Sequence, residues 1–247
     1  MKETIIIFDV NGSIVESNEK IKREHAEILN KLKLKYRIGI CSSDTIDKTL
    51  YQMDNLIFFH EYFNDNGCVY NKNTLLLNLK LENVHEYDIR NHVTYPFFQK
   101  PIKEFLKLIS MESDLVISGN LVELRKGLVH LSCIGKQASK NEREKFIVFD
   151  KKKNFRNELI LKIKRVIIGT NLSVKLAGDC GIILYPFEYD KHQIRNHIDN
   201  KYDIVYFGNR YNLDEVDNEL MENSGIVSHK IDNVEETYEI LKDKYLK

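Results

Sequence analysis

Four places along the chain set polar, reactive side chains at the ends of apolar runs: Asp9 with Asn11, Ser43 with Asp44, Asp190 with Lys191, and Asn209 with Asp217. In open α/β sheets, reactive groups gather at the carboxyl ends of parallel strands. Such a set can carry phosphoryl transfer. A carboxylate can act as nucleophile and form an acyl phosphate. A hydroxyl and an ammonium can hold the transferring oxygens. Carboxylates from a later loop can hold Mg²⁺, which neutralises phosphate charge. Each element alone has an ordinary explanation. An aspartate at a strand end often forms a turn, and Ser43 can serve as a helix cap. A lone Lys191 is usually solvated. Asp214, Glu215, Asp217 and Glu219 could be an acidic helix start favoured by the dipole. The order and spacing of all four carry the reading.

The elements that must position these groups alternate. Thr4–Val10 is a short apolar, β-branched run that reads as a buried parallel strand. Residues 18–33 show helical spacing, Tyr36–Cys41 a second strand with Ser42-Ser43-Asp44 as helix cap, and Leu56–Phe59 a third strand. Cys68–Tyr70 and Leu75-Leu76-Leu77 read as a hairpin. Residues 85–112 look mostly helical, with a break near Pro96 and Pro101. Leu121–Ile134 then reads as a long strand or hairpin, Asn141–Phe149 and Phe155–Ile168 as helices, and Leu172–Leu176 and Gly181–Tyr185 as strands. That series predicts an antiparallel sheet covered by helices. Alternation returns with a strand at Asp203–Phe207, a helical segment at Asp217–Met221, a strand at Gly225–Ser228 and a helix at Asn233–Tyr245. The expected organisation is an α/β core, residues 1–82 plus 187–247, interrupted by an α+β domain, residues 83–186.

Composition excludes several classes. With 247 residues and 43% hydrophobic content, the chain can build real cores. Lys+Arg and Asp+Glu are 37 each, a poor basis for sequence-independent nucleic-acid binding. No apolar run is long enough to span a bilayer, and Ile5–Phe8 is too short for a signal peptide. Cys41, Cys68, Cys133 and Cys180 lack metal-type spacing, so a reducing compartment, the cytoplasm, is the default expectation.

The segment Ile7-Phe8-Asp9-Val10-Asn11-Gly12-Ser13 resembles motif I of the haloacid dehalogenase (HAD) superfamily, Asp-x-Asp-Gly-Thr/Ser. Nearly the whole chain resembles eukaryotic-type phosphomannomutases. The resembling stretches include Ser43-Asp44, Asp65-Asn66-Gly67-Cys68-Val69-Tyr70, Glu123–Ser132, Ile134-Gly135, Glu142-Arg143, Tyr189-Asp190-Lys191, Tyr206-Phe207-Gly208-Asn209 and Asp217-Asn218-Glu219. The resemblance implies an HAD-like Rossmannoid core with an inserted α+β cap. It implies Asp9 as the phosphoryl-carrying nucleophile, and Ser43 and Lys191 as ligands of the phosphoryl group. Asp9, the Val10 carbonyl, Asn209 and Asp217 would surround Mg²⁺. Arg125, Lys136 and Arg143 in the cap would grip the distal phosphate of a hexose phosphate. It also implies interconversion of mannose 6-phosphate and mannose 1-phosphate for GDP-mannose supply, cap closure that excludes water, and a homodimer formed through the cap.

The departures fall on the chemistry. Motif I normally carries a second aspartate as acid/base, and here that position is Asn11. An amide cannot serve that role, which typically contributes about 10²–10⁴-fold in rate. Asn209 stands where the family has a metal-binding aspartate, and Lys136 replaces an arginine fork with a point charge. In the sugar-reading loop Ala177-Gly178-Asp179-Cys180-Gly181-Ile182-Ile183, the serine position is Gly181 and the aspartate position is Ile183. Three readings stay open at this point: a mutase with weakened activity, a non-catalytic homologue that binds a sugar phosphate or a partner protein, and an HAD phosphatase.

Overall fold

The computed structural model describes residues 2–75, 77–222 and 225–247. The elements run in chain order as follows. The first part has β1 (Glu3–Phe8), α1 (Arg23–Lys33), β2 (Arg37–Cys41), α2 (Ile46–Met53), β3 (Glu61–Asn64), β4 (Val69–Asn73) and β5 (Leu81–Glu86). The middle has α3 (Gln99–Ser110), β6 (Val122–Leu124), β7 (Val129–Ser132), α4 (Lys140–Lys153), α5 (Phe155–Val166), β8 (Leu172–Ala177) and β9 (Gly181–Pro186). The last part has β10 (Tyr202–Gly208), α6 (Asn218–Met221), β11 (Ile226–Lys230) and α7 (Val234–Ile240). The chain divides into two compact units, residues 1–87 with 190–247 and residues 88–189.

The first unit is built on a seven-stranded sheet in the order β11-β10-β1-β2-β3-β4-β5. The strands from β11 to β3 are parallel, β4 pairs antiparallel with β3, and β5 pairs antiparallel with β4. The unbroken apolar run of β1 has a simple cause. Ile6 and Phe8 enter one core cluster with Leu29, Leu32, Tyr238 and Leu241, while Ile5 and Ile7 enter another with Tyr206, Ile194, Leu220 and Met221. A strand buried on both faces cannot alternate polar with apolar residues. Each such side chain stabilises the unit by roughly 1.5–3 kcal/mol relative to exposure.

The second unit, the cap, has a four-stranded antiparallel sheet in the order β6-β7-β9-β8. Val129, Leu131, Val174, Ile182 and Leu184 pack with Phe105, Ile109, Leu159 and Ile163 of α3 and α5. The alternate positions put Glu123, His130, Ile183 and Lys175 in one row across the four strands.

Several elements differ from the sequence reading. The third strand is Glu61–Asn64, and the apolar run 56–59 is a loop whose Ile57 and Phe59 fill the core. The hairpin partner of β4 is Leu81–Glu86, whereas Leu75 and Leu77 are outside any strand. Leu76, within the expected Leu75-Leu76-Leu77 strand, lies outside the described residues. In the region expected to be helical, only Gln99–Ser110 forms an α-helix, and Pro101 sits in its first turn, where a missing N–H costs nothing. The cap of α2 is Thr45, whose side chain accepts from the Lys48 N–H. The domain boundaries lie slightly beyond those expected at 82/83 and 186/187. The ladder of β5 on β4 keeps residues through Tyr87 with the core, and the Phe187 N–H bonds Asn171 O inside the cap.

Two half-buried histidines give the core an acid limit. Burial, helped by Arg37, pulls His60 down to about 4, and burial with His85 nearby does the same to His197. His60 Nδ1 accepts the Ile38 N–H, a bond that needs the neutral ring. An unfolded histidine titrates near 6.5, so the unfolded chain takes protons first as pH falls. Stability should therefore be unaffected above about pH 6.5 and decline progressively down to about pH 4. The melting temperature should fall through that window, and His60→Gln should fall less. A flat profile over the window would refute the assignment.

Candidate active site

Asp9 follows directly from β1, the strand flanked by β2 and β10, and its N–H bonds Phe207 O at 2.8 Å. Lys191 starts a short 3₁₀ turn, Lys191–Asn196, capped by the Asp190 side chain. Its Nζ donates to Asp9 Oδ1 at 2.6 Å and to Asp217 Oδ1 at 2.6 Å. The Lys191 and Asp217 side chains are both 0% exposed, and that of Asp9 only 9%. The Tyr206 hydroxyl completes the cluster by donating to Asp217 Oδ1 at 2.7 Å. Burial pushes the Asp9 carboxyl up to about 6 despite Lys191 beside it. For Lys191 the balance reverses: burial opposes the charge, but Asp217 and Asp9 together outweigh it and hold the ammonium protonated.

The turn after Asp9 is set by its own backbone. The Val10 carbonyl accepts the N–H groups of Ser13, Ile14 and Val15 at 3.3, 3.1 and 3.1 Å. The same carbonyl, expected in a metal sphere, therefore faces the inside of the turn. None of these donors reaches the Asn11 carbonyl. Gly12 sits at φ +81, and a Cβ there would lie 2.2 Å from Asn209 Nδ2. Glycine is thus required both for the left-handed backbone and for the space that Asn209 fills. Asn209 is therefore placed against the Asp9 turn, with its Oδ1 3.5 Å from Ser13 Oγ.

Asn11 is bonded at both ends of its amide. Its Nδ2 donates to Asp44 Oδ2 at 2.9 Å, and its Oδ1 accepts from Gln52 Nε2 at 2.9 Å and from the Asn18 N–H at 3.2 Å. Asp44 is also paired with Lys48 Nζ at 2.7 Å. Ser43 is half-buried on the same loop, between the buried Ser42 and Asp44.

Asp217, expected beside the metal, is held by three donors. Its Oδ1 accepts from Lys191 and Tyr206, and its Oδ2 accepts the Arg210 N–H at 3.1 Å. It orients Lys191. Asp9, Asn209, Asp217 and the main chain of the turn offer oxygen groups of the kind that suits Mg²⁺, which keeps several waters. Because Asn209 fills the space that Gly12 leaves, its amide group lies against the Asp9 turn, where it would meet such an ion.

In the cap, Arg125 Nε and Lys136 Nζ both donate to Glu123 Oε2, at 2.7 and 2.6 Å. Arg143 donates to Lys136 O at 2.9 Å and Ala138 O at 3.0 Å. The three expected cations therefore form one connected group. Burial alone would raise the Glu123 carboxyl, but Arg125 and Lys136 more than offset it and hold it ionised. Ile183, 0% exposed, stands in the polar row between His130 and Lys175. Gly181 has a packing reason, since a Cβ would lie 2.8 Å from His130 Nε2.

Sequence reasoning missed Tyr206, Gln52 and Glu123. Tyr206 and Glu123 were visible only as parts of resembling stretches, and Gln52 looks like an ordinary polar position of a helix.

A parallel sheet with an aspartate at the tip of β1, paired to a buried lysine from the segment that returns from an inserted cap, defines a protein of the HAD fold. The IMP-nucleotidase of Plasmodium falciparum, solved with IMP bound, shares that fold at TM-score 0.69 and 14% identity. The alignment covers 98% of this chain and 66% of the nucleotidase, so this chain spans slightly less than two thirds of it. A trehalose-6-phosphate phosphatase related protein matches at TM-score 0.56 and 12% identity, over 98% and 97% of the two chains. The chain belongs to the eukaryotic phosphomannomutase family, whose profile matches residues 25–247. The match starts beyond the Asp9 turn, the segment that carries Asn11. The phosphomannomutase of Encephalitozoon cuniculi is 28% identical over 243 residues, 96% of this chain and 91% of that one. Phosphomannomutase 2 of Dictyostelium discoideum is 26% identical over 251 residues, 100% and 98% of the two chains.

Proposed function

We propose that the protein interconverts mannose 6-phosphate and mannose 1-phosphate through a phosphoryl group carried on Asp9, at a rate lowered by Asn11 and Asn209. The pairing of Asp9 with the buried Lys191 carries this reading. The ammonium holds the nucleophile's Oδ1 in one place and supplies a fixed positive charge where phosphoryl oxygens gather. Asp217 and Tyr206 keep that ammonium oriented. Ser43 binds the phosphoryl group from the β2 loop. Asp9, Asn209 and the main chain of the turn would hold Mg²⁺, which when bound neutralises charge on the transferring group. Asn209 offers an amide oxygen but no charge, so the site is expected to need more Mg²⁺ than one with an additional carboxylate.

Arg125, Lys136 and Arg143 bind the phosphate that does not react, displacing Glu123 from two of its cations. The protein acts in the cytoplasm as a homodimer joined through the cap, supplying mannose 1-phosphate for GDP-mannose. Phosphorus NMR of mannose 6-phosphate with Mg²⁺ and a hexose bisphosphate tests the reading, which fails if no mannose 1-phosphate forms. Arg125→Ala should raise KM by about 10–100-fold with a smaller change in kcat, because it removes ground-state phosphate binding. An unchanged KM would remove Arg125 from the site.

A further inference from the structure

When Asp9 exchanges a phosphoryl group with an alcohol, a proton must reach the departing oxygen and be removed from the attacking one. The side chain two positions on, Asn11, has none to give, and its surroundings are built for an amide. Nδ2 is committed to the Asp44 carboxylate, and Oδ1 to Gln52 and the Asn18 N–H. An aspartate here would set one carboxylate within about 3 Å of another, a like-charge contact that Asn11 avoids by donating an N–H to Asp44. The neighbouring polar groups have other duties. Lys191 donates to Asp9 and Asp217, the Tyr206 hydroxyl to Asp217, and Asp44 accepts from Lys48 and Asn11. Attack by Asp9 needs no proton of its own, since a carboxylate oxygen is already a nucleophile. What suffers is the departure of a poor leaving group.

We propose that Asp9 accepts its phosphoryl group preferentially from donors whose leaving group departs as a stable anion: acyl phosphates and phosphoric anhydrides rather than phosphate esters of sugars. An Asp9 carboxylate oxygen bonds to phosphorus as the bond from phosphorus to the donor oxygen breaks. The electron pair leaves with the departing carboxylate or phosphate, and no proton moves. The product is an aspartyl phosphate, itself a mixed anhydride. Transfer from it to water or a sugar hydroxyl requires a proton to be removed from the attacking group. The phosphoryl-enzyme therefore accumulates. This inference rests on the proposed role of Asp9 as nucleophile and refines its substrate class.

The test uses the full chain with Mg²⁺ and two donors, acetyl phosphate and a hexose bisphosphate, with acid quenching and mass spectrometry of the peptide that contains Asp9. Acetyl phosphate should label Asp9 at least about 100-fold faster, the lower bound of what a general acid contributes to an alcohol leaving group. Across a series of aryl phosphates, the rate should fall steeply as the leaving phenol becomes less acidic, and equally steeply in Asp44→Asn. Equal labelling by the two donors, or a flat dependence on the phenol, would overturn the proposal. A flat dependence that steepens in Asp44→Asn would assign the missing acid to Asp44 and also overturn it. No label at Asp9 from any donor would instead defeat the nucleophile reading, and this inference with it.

Discussion

Replacing Asp9 by asparagine should abolish the acid-stable phosphoryl-enzyme and lower turnover by about 10⁴-fold or more, because the covalent route is lost while binding remains. The fold should survive. Lys191 keeps Asp217 as a partner at 2.6 Å, and asparagine is close in shape to the residue it replaces. The informative comparison is therefore between activity and melting temperature in one sample. Loss of activity with a nearly unchanged melting temperature places Asp9 at the reaction. Retained turnover would show that the chemistry runs elsewhere.

Lys191→Met should damage both quantities. The lysine lies between two carboxylates that water barely reaches, and its removal leaves Asp9 and Asp217 facing each other without a cation. Breaking a buried ion pair by deleting one partner costs about 3–5 kcal/mol. For a chain of this size that lowers the melting temperature by roughly 10 °C. Part of the loss should return at low pH, because burial already holds Asp9 near 6 and its protonation relieves the repulsion. Calorimetry of the variant at neutral and mildly acidic pH reads both effects. Wild-type stability at neutral pH would mean that the three charges are not coupled.

The parts of the structure that could be read from the sequence share a physical cause. β1 is legible because burial on both faces demands an unbroken apolar run, and Asp9 is conspicuous because it interrupts that run at its end. The fourth-position spacing of α1 and α5 similarly reflects one buried face each. By contrast, β3 takes the sequence Glu-Tyr-Phe-Asn in preference to the more apolar run before it. Its polar ends are tolerated because Glu61 pairs with Arg37 and Tyr70, and Asn64 with Thr49 and the Asp44 carbonyl, all distant in sequence. Lys191 has the same difficulty. Its place among the four polar sets and the family resemblance singled it out, but nothing in a polar loop marks a lysine as fully buried when its partner lies 182 positions away. The direction of the Val10 carbonyl was illegible for a different reason. Residue type says nothing about where a main-chain oxygen points, and the backbone turn decided it.

The placement of β10 beside β1 governs when the protein can exist at all. One of the two neighbours of β1 leaves the ribosome some two hundred residues after it, as do the lysine and aspartate that balance Asp9. Until then a strand of isoleucines has an open edge, a template for unwanted pairing. Closing such a distant contact is also slow. Nascent chains should thus depend on chaperones through most of synthesis, whereas the cap, continuous in sequence, can condense earlier. A premature stop between residues 190 and 217 would yield a product with a finished insert and a reaction centre that lacks Asp217.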